Sequence, residues 1–253
     1  MTAPRSVFGR AMRLLAAFSA GTPELPLTAL AARSGLPLTT AHRLCAQLER
    51  EGVLERLPDG RYRVGLRLWE LGMLAPRAHG LREVALPFLE DLYEVTHENV
   101  QLVVLDPPEA VVVERLRART AVRLVSRAGG RLPVHATSGG LVLLAHADPA
   151  TVASVLAAPL RRYTAATLTT EPEIRAALAL ARRQGYLELH EHVTPGAVSI
   201  AAPILVRRQA VAAVSVVGEP SADARALIPA LLTTTRGIAR ALGAEPAASL
   251  REA

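Results

Sequence analysis

The chain has 253 residues, of which 50% are apolar and only 3% are aromatic. That length is enough for two modest domains whose cores are built from leucine, valine and alanine. The single cysteine, Cys45, excludes a disulfide framework and a cysteine-ligated metal cluster. The sequence contains no run of 18 apolar residues, so we expect no transmembrane helix. We therefore expect a cytoplasmic protein with no membrane partner.

The formal charge is concentrated in the first third of the chain. All 29 basic residues are arginine, and the net charge is +6. Residues 1–82 contain 12 arginines and 6 acidic residues, whereas residues 83–253 contain 17 of each. This asymmetry indicates a nucleic-acid or membrane contact in the first third, with drift in an arginine-rich composition as the alternative.

The first third predicts three helices followed by a hairpin. The first helix covers Val7–Ser19, and the second opens at Thr28 as N-cap and stops at Gly35. The third starts at Thr39 and is closed by Gly52. The stretch "VLERLPDGRYRVG" then alternates about a Pro-Asp-Gly turn, as a β-hairpin does. Two helices joined by a tight glycine turn and followed by a hairpin form a winged helix-turn-helix.

The third helix has one apolar and one basic face. At 100° per residue, the apolar stripe contains Ala41, Leu44, Cys45 and Leu48. The opposite face and its flanks hold threonine, histidine and arginine, which suits the acceptors and thymine methyl groups of the major groove. We expect Thr39, Thr40 and Arg43 to reach base edges, Arg50 to meet a phosphate, and His42 to do either. A solvated helix face is the alternative.

The predicted hairpin carries three further arginines. Arg56, Arg61 and Arg63 suit phosphate or minor-groove contacts made by a wing, although each could equally be solvated. Tyr62 alternates with two of them, so we expect its side chain to pack inward.

The rest of the chain predicts a linker and a second domain. We predict a DNA-binding domain over 1–66, a linker helix over 67–81 and a mixed α/β domain over 82–253. Its predicted strands are "VQLVVLD", "AVVVERL", "AVRLVS", "AVSIAAPILV" and "AVAAVSVVG". The predicted helices comprise "HATSGGLVLLAHA", "PATVASVLAA", one that opens at a Thr170–Glu173 capping box and ends at Gly185, and a last one over Ala222–Leu242.

These pieces together resemble the IclR family of bacterial transcription regulators over nearly the full length. The matching stretches are "LPLTTAHRLCAQLEREGVLER", "YRVGLRLWELG", "GGRLPVHATSGG", "GYLELHEHVTPGAVSIAAPI" and "AAVSVVG". The resemblance implies an α+β protein with an N-terminal winged helix-turn-helix, a linker helix and a C-terminal GAF-like effector-binding domain. It also implies a homo-oligomer, either a dimer or a tetramer.

The resemblance also implies where an effector would bind. Family members commonly have lysine where this chain has Leu141, and often Ser-x-Ser-Gly where it has Ser215-Val-Val-Gly218, so effector identity is left open. The start of the helix at Ser138–Gly140 offers backbone N–H groups to a carboxylate. The effector residues implied are Leu124, Leu132, Ser138, Gly139, Leu189, Ala197, Ser199, Ser215 and Val217, to which the helix start adds Gly140.

Two other classes of protein remain open from the residues. Ala136-x-Ser138-x-Gly140 is one residue from the nucleophile elbow of serine hydrolases, with Asp148, His190 and His192 downstream. His135 with the two histidines of "HEH" could ligate a metal in a metal-responsive regulator, although their spacing is not that of a helical metal site.

The sequence thus predicts a transcriptional regulator that binds a double-stranded DNA operator. We expect a repressor with no catalytic activity, no metal and no cofactor. Its effector is expected to be a small organic acid with an aromatic or aliphatic body, because several pocket positions are apolar.

Overall fold

The computed structural model describes residues 6–19, 21–75, 79–118, 126–220 and 224–244 and divides into two compact units, Met1–Ala75 and Pro76–Ala253. Within these residues no helix is long and apolar enough to cross a membrane. The helices are α1 Val7–Leu15, α2 Leu27–Ser34, α3 Leu38–Arg50, α4 Leu66–Met73, α5 His79–Thr96, α6 Ser138–Ala145, α7 Pro149–Ala157, α8 Glu171–Gln184 and α9 Ile228–Ala244. The strands are β1 Glu24–Leu25, β2 Leu54–Arg56, β3 Tyr62–Val64, β4 Asn99–Asp106, β5 Glu109–Leu116, β6 Arg131–Pro133, β7 Leu187–His190, β8 Val198–Val206 and β9 Gln209–Gly218.

The N-terminal unit is a winged helix-turn-helix, as predicted. Helices α1 to α3 pack on one apolar cluster, and α2 ends at Gly35, whose φ of +63° is the left-handed conformation that glycine adopts without strain. The predicted hairpin is confirmed as β2 paired with β3, and Gly60 takes a φ of +83° in the turn. The sequence did not predict β1, which pairs with the other edge of β3.

Three predicted helix boundaries in this unit are wrong, among them the start of α3, which is Leu38 rather than Thr39. Helix α1 ends at Leu15 rather than Ser19, and its N-cap is Ser6, whose hydroxyl accepts a hydrogen bond from the N–H of Gly9. Helix α2 begins one residue before Thr28 because Pro26 is its N-cap, with no side-chain hydrogen bond there.

The predicted linker contains parts of two helices. Helix α4 belongs to the N-terminal unit and α5, which contains Pro87, to the C-terminal unit; residues 76–78 between them lie outside the described part. Trp69, Leu71 and Leu74 are exposed on α4 and its C-cap. Leu81, which lies on α5, is buried in the core of the C-terminal unit instead.

The C-terminal unit is built on a six-stranded antiparallel sheet in the order β6-β5-β4-β9-β8-β7. The four long predicted strands are confirmed as β4, β5, β8 and β9. In β4, β8 and β9 the near-continuous apolar sequence reflects burial on both faces. The predicted strand "AVRLVS" falls almost entirely on residues outside the described part. The short edge strands β6 and β7 were not predicted.

Each face of the sheet is covered by helices. One apolar cluster joins the sheet to α6, α7 and α8, and the other joins it to α5 and α9. Every residue of α6 is buried. The Thr170–Glu173 capping box is confirmed at the start of α8, which ends at Gly185 as predicted. The last helix starts at Ile228, later than the predicted Ala222, after a 3₁₀ turn over Ala224–Leu227.

Candidate functional site

Helix α3 exposes the residues that the sequence assigned to DNA. Ala41, Leu44 and Cys45 are buried against the other helices of the unit. On the other side Thr39, His42, Arg43 and Arg50 are exposed, while Thr40 is partly exposed. The helix therefore presents hydroxyl, imidazole and guanidinium groups on one solvent-facing side, with its apolar side fixed by the core.

The exposed arginines differ in whether an acid already neutralises them. Arg61 forms ion pairs with Glu24 (2.8 Å) and Asp59 (2.7 Å). These carboxylates raise the pKa of Arg61, mainly through the Asp59 hydrogen bond. By contrast, Arg43 has no ion pair within the described part of the chain. An unpaired guanidinium is the better donor for DNA, because it has no protein partner to give up.

The wing shows the same contrast. Arg63 is paired with Glu55 at 2.6 Å, whereas Arg56 has no acidic partner among the described residues. The guanidinium of Arg56 lies 5.8 Å from the ring centroid of Tyr62. The Tyr62 ring packs inward, as predicted, since only 3% of that residue is exposed.

The C-terminal unit contains a pocket between the sheet and the start of α6. About 640 Å³ of space, part of it open to solvent, lies within it. Its lining residues are Gln101, Val103, Ser126, Leu132, Ala136, Thr137, Ser138, Gly139, Gly140, His192, Val193, Thr194, Ala197, Ser199, Ser215 and Val217.

Gly139 lets the start of α6 approach the sheet closely, and Gly140 lets it pack against the preceding 3₁₀ turn, Val134–Ala136. A Cβ at Gly139 would lie 2.8 Å from Val103 Cγ2, and one at Gly140 would lie 2.6 Å from the carbonyl oxygen of Val134. Neither position has room for a side chain unless its neighbours move. The backbone of the first helical turn is therefore presented directly to the pocket.

The polar groups at this helix start are only partly paired. Thr137 is the N-cap, and its Oγ1 accepts a hydrogen bond from the N–H of Gly140 at 3.3 Å, so that N–H already has a partner. The earlier N–H groups, those of Ser138 and Gly139, have no intrahelical acceptor by geometry. Ser138 is only 1% exposed, and its Oγ has no hydrogen-bond partner within the described residues. Such a group is a donor available to a ligand.

Most of the predicted effector residues meet in this pocket. Eight line it: Leu132, Ser138, Gly139, Gly140, Ala197, Ser199, Ser215 and Val217. Leu124 lies outside the described residues. Leu189 pairs with Ser199 across β7 and β8, but its side chain is buried in the core cluster shared with α6 and α8 and does not line the pocket.

The sequence missed half of the lining, including Gln101 on β4. Its amide donates to Ser126 Oγ at 3.0 Å, and both residues face the pocket. The available signal was one polar residue, Gln101, between the apolar residues of "VQLVVL". The pocket also contains His192, which is partly buried; burial, and to a lesser extent the nearby His190, lower the pKa of His192.

The geometry gives no support to the serine hydrolase alternative. Ser138 is the first residue of α6 and follows the short edge strand β6, not a central strand of the sheet. Asp148 is the N-cap of α7 and bonds Thr151, while His190 bonds Glu188 Oε1 at 2.7 Å. His192 lines the same pocket, but among the described residues no histidine hydrogen-bonds the Ser138 hydroxyl, so Ser138 lacks the oriented base that a nucleophile needs.

The histidines do not form a metal centre within the described part of the chain, where no group of three potential ligands converges. The ring of His135 bonds the carbonyl oxygen of Arg161 at 3.0 Å and lies near Tyr163. His190 is engaged by Glu188, as above. The geometry thus gives no support to metal sensing.

A winged helix-turn-helix followed by a pocket in a separate α/β unit is an arrangement typical of transcriptional regulators. Comparison with known proteins makes the assignment specific: residues 8–58 match the IclR helix-turn-helix domain, and residues 74–244 match the bacterial transcriptional regulator IclR C-terminal domain. The chain belongs to the IclR family of DNA-binding transcriptional regulators.

Individual relatives cover most of both chains. The chain is 33% identical over 237 residues to the glycerol operon regulatory protein of Streptomyces coelicolor, covering 92% of this chain and 93% of the relative. It is 33% identical over 197 residues to the regulator XynR of Escherichia coli, covering 77% and 78%. An IclR homolog from Microbacterium hydrocarbonoxydans, solved in complex with 4-hydroxybenzoate, is 37% identical with a TM-score of 0.88, covering 94% and 99%. These relatives are regulators, not enzymes.

Proposed function

We propose that the protein is a repressor whose DNA binding is controlled by a small organic acid with an aromatic or aliphatic body. The observation that carries the effector class is the buried, unpartnered Ser138 hydroxyl at a helix start that faces the pocket. A helix N-terminus favours anions through its free N–H groups and its dipole. The carboxylate would be hydrogen-bonded there.

The remaining lining supports an apolar body on the acid. Val103, Leu132 and Val217 contribute apolar surface on the sheet side, and Ala136 and Ala197 contribute small side chains that leave room. A very small polar acid would leave these surfaces poorly filled, whereas a ring or alkyl chain would bury them. That the Microbacterium relative was solved with 4-hydroxybenzoate is consistent with this class.

The effector class is tested by calorimetric titration of benzoate, 4-hydroxybenzoate, hexanoate and glyoxylate against the purified protein. We expect an aromatic or six-carbon acid to bind at least tenfold more tightly than glyoxylate, and Ser138→Ala to weaken that binding. Preference for glyoxylate, or equal binding to Ser138→Ala, would contradict the proposal.

We propose that α3 reads an operator in the major groove. Arg43 is exposed, unpaired within the described residues, and on the second turn of the helix, where a guanidinium can fork onto guanine. Arg50 is at the last residue of α3, its Nε 3.3 Å from the carbonyl oxygen of Ala46, and suits a phosphate. A single winged helix contacts few bases, so a homo-oligomer on a near-palindromic site is expected, either dimer or tetramer.

Gel-shift titration of the operator and a scrambled duplex tests the reading of α3. Arg43→Ala should lose about 1–3 kcal/mol of preference for the operator. Arg50→Ala is the matched control, since losing a phosphate contact should weaken both duplexes alike. Unchanged preference in Arg43→Ala would show that another element reads the bases.

Repression is tested on a reporter under the promoter that contains the operator. Deletion of the regulator should raise reporter expression. When the regulator is present, addition of the effector acid should also raise reporter expression. The mechanism is a population shift, in which the effector binds one arrangement of the oligomer more tightly than the other. Loss of expression on deletion would instead identify an activator.

A further inference from the structure

A row of polar residues crosses the sheet behind the pocket. Gln101 of β4 pairs with Ser215 of β9 on one side and with Arg115 of β5 on the other. Cross-strand partners place their side chains on the same face of the sheet. Gln101 and Ser215 both line the pocket, so Arg115 is directed to the pocket side of the sheet, immediately behind its wall.

A shift in strand register delivers Arg115 to this face. Leu102 pairs with Glu114, but the next residue, Val103, pairs with Val112, so Val113 has no partner in the ladder. Strand residues otherwise alternate between faces, and one extra residue reverses the alternation. In a regular strand, residues three positions apart face opposite sides of the sheet. Because of the extra residue, Val112 and Arg115 both face the pocket side.

The guanidinium of Arg115 is held by neutral groups alone. One terminal nitrogen donates to the carbonyl oxygen of Ser126 and the other to Asn99 Oδ1 at 3.1 Å, while Nε is buried without a hydrogen-bond partner. Within the described residues no carboxylate forms an ion pair with it. Glu114 lies on the opposite face of β5, where it is paired with Arg82.

Within the described residues no side-chain ion pair therefore neutralises Arg115, although the carboxylate of Glu114 accepts a hydrogen bond from its backbone N–H at 2.7 Å. Burial lowers the pKa of this arginine, and the neighbouring Arg117 lowers it further. An arginine nonetheless stays protonated at neutral pH. Partly buried positive charge without a counter-ion is costly, and an anion bound in front of it reduces that cost.

We propose that Arg115 sets the charge selectivity of the effector pocket by attracting the carboxylate from behind Gln101 and Ser126. This inference rests on the proposed organic-acid effector and adds the residue that distinguishes an acid from its neutral counterpart. Arg115 acts through the field of its charge, so it does not need to contact the acid directly.

The test compares an acid with its amide, 4-hydroxybenzoate with 4-hydroxybenzamide, and benzoate with benzamide, by calorimetry on three variants. Arg115→Gln removes the charge but keeps hydrogen-bonding groups, and Arg115→Lys keeps the charge but loses the planar fork. Arg117→Gln is the matched control, because it removes an exposed charge two residues away. Melting temperatures without ligand are recorded for each.

We expect Arg115→Gln to lose about tenfold of the preference for acid over amide, since a nearby partly buried charge interacts strongly with a carboxylate. The affinity for the amide should be unchanged, and Arg115→Lys and Arg117→Gln should keep the preference. If the wild type binds the acids and Arg115→Gln keeps the full preference, or loses both ligands equally, the inference is wrong while the proposed function stands. If no acid binds the wild type, the proposed effector class fails and this inference fails with it.

Discussion

Replacing Ser138 with alanine should stabilise the unliganded protein while weakening effector binding. The Ser138 hydroxyl is buried at the start of α6 and has no partner. Burying an unpaired hydroxyl costs about 1–3 kcal/mol in mutational data. Because the pocket is partly open to solvent, we take the lower end, a gain of about 1 kcal/mol in the free energy of unfolding. For a unit of this size that raises Tm by about 2–4 °C.

The assay is differential scanning calorimetry with and without a saturating effector acid. Ser126→Ala is the matched control, because the Ser126 hydroxyl also lines the pocket but accepts a hydrogen bond from Gln101 at 3.0 Å. Its removal leaves the Gln101 amide unpaired and should lower Tm. With effector, the Tm rise should be smaller for Ser138→Ala than for the wild type. A fall in the unliganded Tm of Ser138→Ala, equal to that of Ser126→Ala, would refute the reasoning.

Three further outcomes follow from the described contacts. The affinity for DNA falls with salt concentration, and Arg56→Ala should reduce that dependence more than Arg61→Ala. The reason is that Arg61 is already paired with two carboxylates, those of Glu24 and Asp59. The reverse order would show that the wing contacts DNA in another way. The chain has one tryptophan, Trp69, which is exposed on α4. If the oligomer forms through the exposed side of α4, the Trp69 fluorescence should shift to the blue as protein concentration rises. No shift over the concentration range of association would exclude α4 as the interface. Burial raises the pKa of the Cys45 thiol to about 11, so a disulfide reagent at pH 8 should react only after unfolding; rapid reaction of the folded protein would show that α3 opens.

The elements that were predicted correctly from the sequence are those that a local residue pattern determines. The apolar stripe of α3 and the hairpin about Gly60 depend on periodicity and turn residues within one short segment. The paired runs β8 and β9 were equally clear, since two long apolar stretches flank a short turn. Resemblance to a family then indicated seven effector residues that lie in one pocket, which no single segment could have indicated.

The failures share a different cause. Strands β6 and β7 have three and four residues, too few to express a period, and they exist because neighbouring strands supply their hydrogen bonds. The role of Gln101 depends on partners far away in the sequence, Ser215 and Arg115, and on the register that aligns them. The family resemblance predicted Leu189 as an effector residue, but its side chain is buried in the apolar cluster beneath α6.

Besides His192 Nδ1, two buried polar atoms near this pocket depart from ordinary packing. A buried hydroxyl at the start of α6 and a buried guanidinium nitrogen of Arg115 both have no hydrogen-bond partner, although folded proteins pair nearly all such groups. Each costs stability in the unliganded state, and on our proposal an organic acid offsets both at once, from the helix side and from the sheet side. A ligand that binds only the folded unit at 100 times its Kd adds about 2.7 kcal/mol of stability. The same binding energy moves the oligomer between arrangements only as far as the two arrangements differ in their affinity for the acid. Substitutions at Ser138 and Arg115 should therefore change the effector's influence on DNA binding in proportion to their effect on acid binding.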